Sequence, residues 1–378
     1  MGEREAAVTG FIDAIAPGIE ALAAEIGEHP EIGYQEERAV AAISRMLADA
    51  GHEAVVGVAG MPTGLRAESG TSGPRIAILA EYDALPEIGH ACGHNVIGAA
   101  AVGAYLAVAH ADPDGRYLLL GCPAEESSVN GAGGKIRLIE AAVFDDVAAA
   151  LMIHPYDAST IVTEGALAAR GVEFVFRGRG AHAAMSPHLG VNALDAVVQC
   201  YTAIAQLRQQ LRPETRVHGI ISDGGASPNV IPDRAALRMR LRAPTLAELE
   251  DTFERVRGCA EGAALATGCS LEADEFMPPY AEMRQDPALS EIGRGVLADL
   301  GVTPPTDPRS AVFGSSDFGN VSHRVPALEI GIQVADEGTK PHTVEFARAA
   351  CSPRGARAAV TGARAIALSA LRYRSQGV

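Results

Sequence analysis

Glu81-Tyr82-Asp83-Ala84-Leu85-Pro86-Glu87-Ile88-Gly89-His90-Ala91-Cys92-Gly93-His94-Asn95 gathers acids, two histidines and a thiol directly after the apolar run Ile76 to Ala80. A short buried strand that empties into a loop of soft and borderline donors is how an open α/β sheet delivers active groups to its carboxyl edge, and such donors suit metal chemistry. Pro123-Ala124-Glu125-Glu126 follows the strand-like run Tyr117 to Gly121 in the same way. Adjacent carboxylates repel unless a cation sits beside them, and then one can ligate while the other moves protons. An arbitrary acid pair is usually a solvated loop feature; the position after a buried strand is what raises this one. His154 closes the run Ala148 to Ile153, and His342 follows Pro341 in Gly338-Thr339-Lys340-Pro341-His342-Thr343. Both are places for an imidazole ligand, although a lone histidine is more often a satisfied core residue. His182 in Gly178-Arg179-Gly180-Ala181-His182 and Asn229 in Ser227-Pro228-Asn229 read, taken singly, as a structural histidine and a turn asparagine.

The elements that must position these groups follow from periodicity. Helical spacing marks residues 10 to 26 and Ala39 to Leu47, and strand-like runs follow at Glu53 to Val58, Ile76 to Ala80, Tyr117 to Gly121 and Ala148 to Ile153. Helical patterns at Val96 to His110 and Gly134 to Ala142 lie between them, an alternation that predicts a largely parallel sheet with helices on its faces. From Val172 to Phe276 the order becomes β-α-β-β-α-β, enough for a small α+β domain, and helix–strand alternation then resumes. The expected fold is an α/β catalytic domain (1–167 and 278–378) interrupted by an inserted ferredoxin-like domain at 168–277.

The chain has 378 residues and a net charge of −16, from 31 basic and 47 acidic residues. So acidic a surface repels phosphate backbones and anionic lipid, so neither nucleic acid nor a membrane is expected as a partner. The apolar stretch Val96 to Ala109 has 14 residues, too short to span a bilayer, and the charged start of the chain lacks an apolar signal region; cytoplasmic residence is the expectation. The six cysteines show no C-x-x-C pair and read as reduced thiols, with Cys92 alone in polar company. Gly131-Ala132-Gly133-Gly134-Lys135-Ile136 departs from a phosphate loop at Val129 and Ile136 and reads as a turn opening a helix. H-E-x-x-H, a G-x-S-x-G elbow and a dinucleotide fingerprint are absent.

Seven pieces in order resemble the M20 metallopeptidase and amidohydrolase family: His29-Pro30-Glu31-Ile32-Gly33, Asp83-Ala84-Leu85-Pro86, His90-Ala91-Cys92-Gly93-His94-Asn95, Pro123-Ala124-Glu125-Glu126, Ala181-His182-Ala183, Asn229-Val230-Ile231-Pro232 and Pro341-His342-Thr343. They look most like the branch of amino-acid-conjugate and aminobenzoyl-glutamate hydrolases. Within it, Glu81 to His90 and Gly314-Ser315-Ser316-Asp317-Phe318-Gly319-Asn320-Val321-Ser322 resemble the group called peptidase M20 domain-containing protein 2, some members of which are dipeptidases acting on basic dipeptides.

The resemblance implies two divalent ions held by Cys92, His94, Glu126, His154 and His342, with Glu125 as general base and Asp83 positioning a ligand. The thiolate suits zinc, and the carboxylate and imidazole donors also accept manganese. It further implies that His182 reaches the substrate carbonyl, that Asn229 and Arg242 contact substrate, and that the inserted domain makes a homodimer. The implied activity is hydrolysis of an amide bond in an N-acyl amino acid or dipeptide. The alternatives are release of an aryl amine or ammonia on the same fold, or a non-catalytic metal-dependent binding protein. Glu81 stays undecided, with His90 and Glu87 expected to shape the turn.

Overall fold

The computed structural model describes residues 2–161, 166–302 and 314–376. Its first elements are α1 (Glu3–Glu28), α2 (Glu37–Asp49), β1 (Val55–Val56), β2 (Leu65–Ser69), β3 (Ser72–Glu81), α3 (His94–Ala111), β4 (Gly115–Cys122), α4 (Gly134–Glu140), β5 (Val147–Tyr156) and β6 (Thr160–Ile161). An inserted stretch carries β7 (Ala168–Arg177), β8 (Ala181–His182), α5 (Ala193–Leu207), β9 (Arg216–Asp223), β10 (Val230–Ile231), β11 (Arg234–Ala243), α6 (Leu246–Thr267) and β12 (Ser270–Tyr280). The chain ends with α7 (Pro287–Asp299), α8 (Phe318–Ser322), β13 (Ala327–Gln333), α9 (Val344–Ala350) and α10 (Pro353–Ser375). One compact unit is Met1–Gly165 with Met283–Val378; the other is Ala166–Glu282.

In the first unit the described strands form one sheet in the order β1-β2-β4-β3-β5-β13-β6. The inner strands β4, β3, β5 and β13 are mutually parallel, and the outer pairings are antiparallel. Parallel strands covered on both faces read as unbroken apolar runs, and Ile76–Ala80 and Ala149–Ile153 are buried throughout. Parallel strands also end at one edge, so the loops after Glu81, Cys122, Tyr156 and Gln333 open on the same side of the sheet.

Helix α3 is buried at every position from His94 to Ala109, as an all-apolar helix must be. A Cβ at Gly103 would stand 2.5 Å from Ile19 Cδ1, so glycine there lets α1 close onto α3. By length and composition α1 could cross a membrane. Its Val8, Ile12, Ile19, Leu22 and Ile26 stripe instead belongs to the core shared with α3 and α10. It starts at Glu3, well before the expected residue 10, with Glu3 and Glu5 in a first turn where the helix dipole favours acids. Strand β2 was not foreseen. It is five residues long, and only Leu65 and Ala67 face inward.

In the second unit β7, β9, β11 and β12 form an antiparallel sheet in the order β12-β7-β11-β9. Val172, Phe174 and Phe176 alternate inward beneath α5 and α6. Asn192 caps α5 through the Leu194 N–H, and Thr245 caps α6 through the Glu248 N–H, the Thr-x-x-Glu signature of a helix start. Strand β12 runs to Tyr280, past the expected Phe276, and the unit ends at Glu282 rather than 277. Pro278 and Pro279 are tolerated because β12 is an edge strand whose register with β7 already shifts at Met277 and Tyr280.

Candidate metal centre

The carboxyl edge of the parallel strands gathers the site. Asp83 leaves β3 and accepts two hydrogen bonds, from His94 Nδ1 at 2.8 Å and from the Glu126 N–H at 2.9 Å. It therefore orients two side chains from different loops. His94 opens α3 behind Gly93, whose φ of 78° and whose 2.8 Å approach to Pro155 by any added Cβ both call for glycine. His154 Nδ1 donates to the Pro155 carbonyl at 3.0 Å, and its ring stacks on Tyr156 with centroids 4.6 Å apart. Burial lowers His154 to about 4, so its proton sits on Nδ1 and Nε2 is left as a lone pair, the usual arrangement of a metal-binding histidine; at His94 burial acts the same way, but Asp83 and Glu81 outweigh it and hold the ring well above the usual imidazole range.

The Nε2 atoms of His94 and His154 converge with other donor atoms. Cys92, His94 and His154 offer donor atoms within 4.8 Å of one another, and so do Cys92, Glu126 and His342. Cys92 belongs to both groups. A third group of the same span is Glu81, His94 and Glu125. Cys92 Sγ lies 3.6 Å from His154 Nε2, and His342 Nε2 lies 3.3 Å from Glu126 Oε1.

The donor set fits metal ions on its own chemistry. His94 Nε2 and Glu81 Oε2 are buried 3.3 Å apart, and neither makes a hydrogen bond. Polar atoms buried without hydrogen bonds are costly unless a cation lies among them. Burial and the neighbouring Glu126 charge push the Cys92 thiol well up. Such a sulfur gives up its proton only to a metal.

Burial, Glu81 and Glu126 likewise raise Glu125 well above the usual carboxylate range, as a proton carrier requires. Burial works in the same direction on Glu126, but the His342 hydrogen bond and the His94 and His342 charges outweigh it and hold Glu126 low. The two adjacent acids are thereby pushed apart, one toward the proton and one toward the cation.

Strain accompanies the constellation. Ala124 and His342 hold φ angles of 55° and 65°, which residues with a Cβ adopt reluctantly. Surrounding bonds impose both. Glu36 accepts the Ala124 N–H at 2.9 Å, and the His342 N–H donates to the Ala91 carbonyl at 2.8 Å. Asp157 accepts from Lys340 Nζ at 2.9 Å and from the Gly338 N–H at 2.8 Å, tying the His342 loop to the end of β5. Glu31 supports the Asp83 loop through its carbonyl, which accepts the Ala84 N–H at 2.8 Å. His90 is buried close behind the site, 2% exposed, and burial lowers it to about 3. Glu87 has a φ of 67° in the turn closed by the Leu85–Gly89 bridge.

Glu36, Lys135, Asp157, Asp317 and Glu329 escaped the sequence reading. Their partners lie as far as 182 residues away, as Asp317 does from Lys135, and no local spacing announces such pairs.

In the inserted unit, His182 lies in β8 and Asn229 in the turn just before its ribbon partner β10, and the Ala183 N–H donates to the Asn229 carbonyl at 3.0 Å. His182 Nδ1 accepts the Ala184 and Met185 N–H groups at 3.3 and 3.2 Å, so the neutral ring carries its proton on the exposed Nε2. Arg242 is not brought to them. It lies eight residues along β11 from Arg234, roughly 25 Å from that ribbon end at strand rise.

Comparison with known proteins decides what this centre belongs to. The peptidase dimerisation domain of the M20 group matches residues 167–267. The Xaa-Arg dipeptidase of Mus musculus is 37% identical over 378 residues, covering 95% of this chain and 86% of that protein. The chain belongs to the M20 family. A p-aminobenzoyl-glutamate hydrolase component from Escherichia coli K12 is 36% identical over 273 residues, 66% of this chain and 56% of that protein. In fold, the M20 chain matches the aminobenzoyl-glutamate utilization protein of Klebsiella pneumoniae with a TM-score of 0.72 at 22% identity, covering 93% of this chain and 98% of that one. It matches a Bacillus subtilis dinuclear metal-binding peptidase of the M20 family with a TM-score of 0.63, also at 22% identity and with the same coverage. This M20 protein is a metal-dependent hydrolase of amide bonds in acyl amino acids or dipeptides.

Proposed function

We propose that this M20 enzyme is a dipeptidase with two divalent ions, zinc or manganese, held by Cys92, His94, Glu126, His154 and His342. The observation that carries the reading is Cys92, shared by two separate clusters of donor atoms at the sheet edge. When bound, the cations supply Lewis acidity toward the scissile carbonyl and bring the pKa of water toward neutrality.

Glu125 takes the proton of the attacking water and passes it to the departing amine, a task its raised pKa fits. Asp83 keeps His94 and Glu126 in register. His182 donates from Nε2 to the carbonyl oxygen as that oxygen gains charge, and Asn229 contacts the substrate beside it. A dipeptide with a cationic carboxyl-terminal residue is the favoured substrate, by similarity to the Xaa-Arg dipeptidase along 95% of the chain.

The assembly proposed is a homodimer through the inserted unit. Its edge strand β9 leaves Ile220 and Ile221 exposed at 64% and 44%, where a second copy would cover them. Cytoplasmic residence belongs to the same reading, supported by six free cysteines.

Turnover of a panel of dipeptides and N-acyl amino acids by metal-loaded protein tests the substrate class. Dipeptides ending in Arg or Lys are expected to give the highest kcat/KM. Selective release of aryl amines or ammonia would assign the leaving group differently.

A further inference from the structure

Behind the proposed ligands lies a charged cluster that the chemistry above does not use. Glu81, Lys135 and Asp317 are wholly buried. The Lys135 N–H, in the first turn of α4, donates to Asp317 Oδ2 at 2.9 Å, and its ammonium pairs with Asp317 Oδ1 and, at 2.6 Å, with Glu81 Oε1. One oxygen of Glu81 is thus tied down by a cation of the protein itself. The other, Oε2, stands 3.3 Å from His94 Nε2, and neither atom has a hydrogen-bond partner. Asp83 engages His94 Nδ1, so the other ring nitrogen, Nε2, is the atom that faces Glu81 Oε2 across that gap, and Glu81, His94 and Glu125 offer donor atoms within 4.8 Å of one another. Glu125 Oε2 stands on the same side, 3.8 Å from His94 Nε2.

We propose that Glu81 supplies an oxygen to the cation held by His94, and that Lys135, itself fixed by Asp317, is the positioning residue that turns this oxygen inward. The inference rests on the metal-dependent reading above. With Oε1 occupied by Lys135, Glu81 offers a single oxygen rather than a bidentate grip. An added carboxylate oxygen favours a hard cation, so Mn2+ gains more from Glu81 than Zn2+ does. The cluster also explains a buried lysine in a segment that otherwise reads as a helix-opening turn. Lys135 offsets two acids that would otherwise repel each other.

The test is competition of Mn2+ and Zn2+ against a chromophoric chelator on stripped protein, with the thermal midpoint of the stripped protein as the control for folding. Glu81→Gln keeps the side-chain volume and leaves Lys135 paired with Asp317. Its stripped midpoint is expected not to fall, while Mn2+ affinity drops about 10–100-fold and Zn2+ affinity drops less. Mn2+ affinity within twofold of the parent would overturn the proposal. Asp317→Asn, which leaves the Lys135–Glu81 pair, is expected to weaken Mn2+ in the same direction by a smaller factor; no change would remove Asp317 from the account. A crystal structure of the Mn2+-loaded parent decides independently of any variant. A Glu81 oxygen in the cation's coordination shell is expected, and Glu81 turned away from it would overturn the assignment. A parent chain that takes up no metal would contradict the proposed function itself, whereas a parent that binds and hydrolyses while Glu81→Gln behaves identically would contradict this inference alone.

Discussion

Within the unit that carries Cys92 and His94, the interior holds Glu36, Glu81, Asp83, His94, Glu125, Glu126, Lys135, His154, Asp157, Asp317 and Glu329. Among the described residues of Ala166–Glu282, the buried polar side chains are Thr252 and Glu282, and the core is Val172, Phe174, Phe176, Leu237, Val256 and similar apolar neighbours. Both units lay helices on a sheet, yet the first buries a cluster of charged groups, whereas the second buries a single carboxylate, Glu282, at its boundary. The difference teaches what each interior is for. Charges inside the first unit are arranged around an expected cation, whereas the second is held by apolar burial and well-capped helices and presents its polar candidates, His182 and Asn229, at the surface. Substitutions among the buried charges of the first should change chemistry; substitutions in the apolar core of the second should change stability.

The largest effect expected from breaking this contrast comes from Glu125→Gln, which should lower turnover about 10²–10⁴-fold while metal content per chain stays the same. Steady-state kinetics beside elemental analysis check it, and undiminished turnover would remove Glu125 as the base. Phe174→Ala, in the apolar core, should cost about 3–5 kcal/mol in urea unfolding of the inserted unit and leave metal affinity unchanged. A loss of metal affinity there would show that the two interiors are not separable as described.

The subtlest is a pH effect. Glu329 accepts the Tyr156 hydroxyl at 2.9 Å, and burial raises it from an ordinary 4.5 to about 7. An acid raised on folding stabilises the fold in its protonated form. That contribution is complete below about 4.5 and is lost as pH climbs through about 7. Over that window Glu329→Gln should flatten the fall in unfolding free energy by at most about 1.4 kcal/mol per pH unit. Parallel curves for the two proteins would place Glu329 in ordinary solvent-like surroundings.

How far the sequence spoke for each region follows from the same contrast. The parallel sheet and the β-α-β-β-α-β insertion were legible because apolar periodicity directly reports which faces are buried; the expected α6 span, Leu246 to Thr267, matches the observed helix. Cys92, His94, Glu125, Glu126 and His154 drew notice as polar groups that follow apolar strand-like runs, whereas His342, weak by itself behind Pro341, joined the proposed set through the family resemblance. Lys135 was not, because its spacing resembled a defective phosphate loop and its partners Glu81 and Asp317 arrive from β3 and from the far end of the chain. Glu36 likewise shows its purpose only once Thr63 and the Ala124 N–H close on it. Strand β2 was missed because five residues with two inward side chains carry too little pattern. Arg242 was chosen by resemblance alone, and β11 carries it away from the His182 ribbon.

The central claim is that the cluster around Cys92 holds cations on which amide hydrolysis depends. Stripping the protein with a chelator and titrating Zn2+ or Mn2+ back, while following cleavage of a dipeptide ending in arginine, tests it most directly. The account predicts that activity vanishes on stripping and returns to saturation at two ions per chain; full turnover by metal-free protein would contradict it.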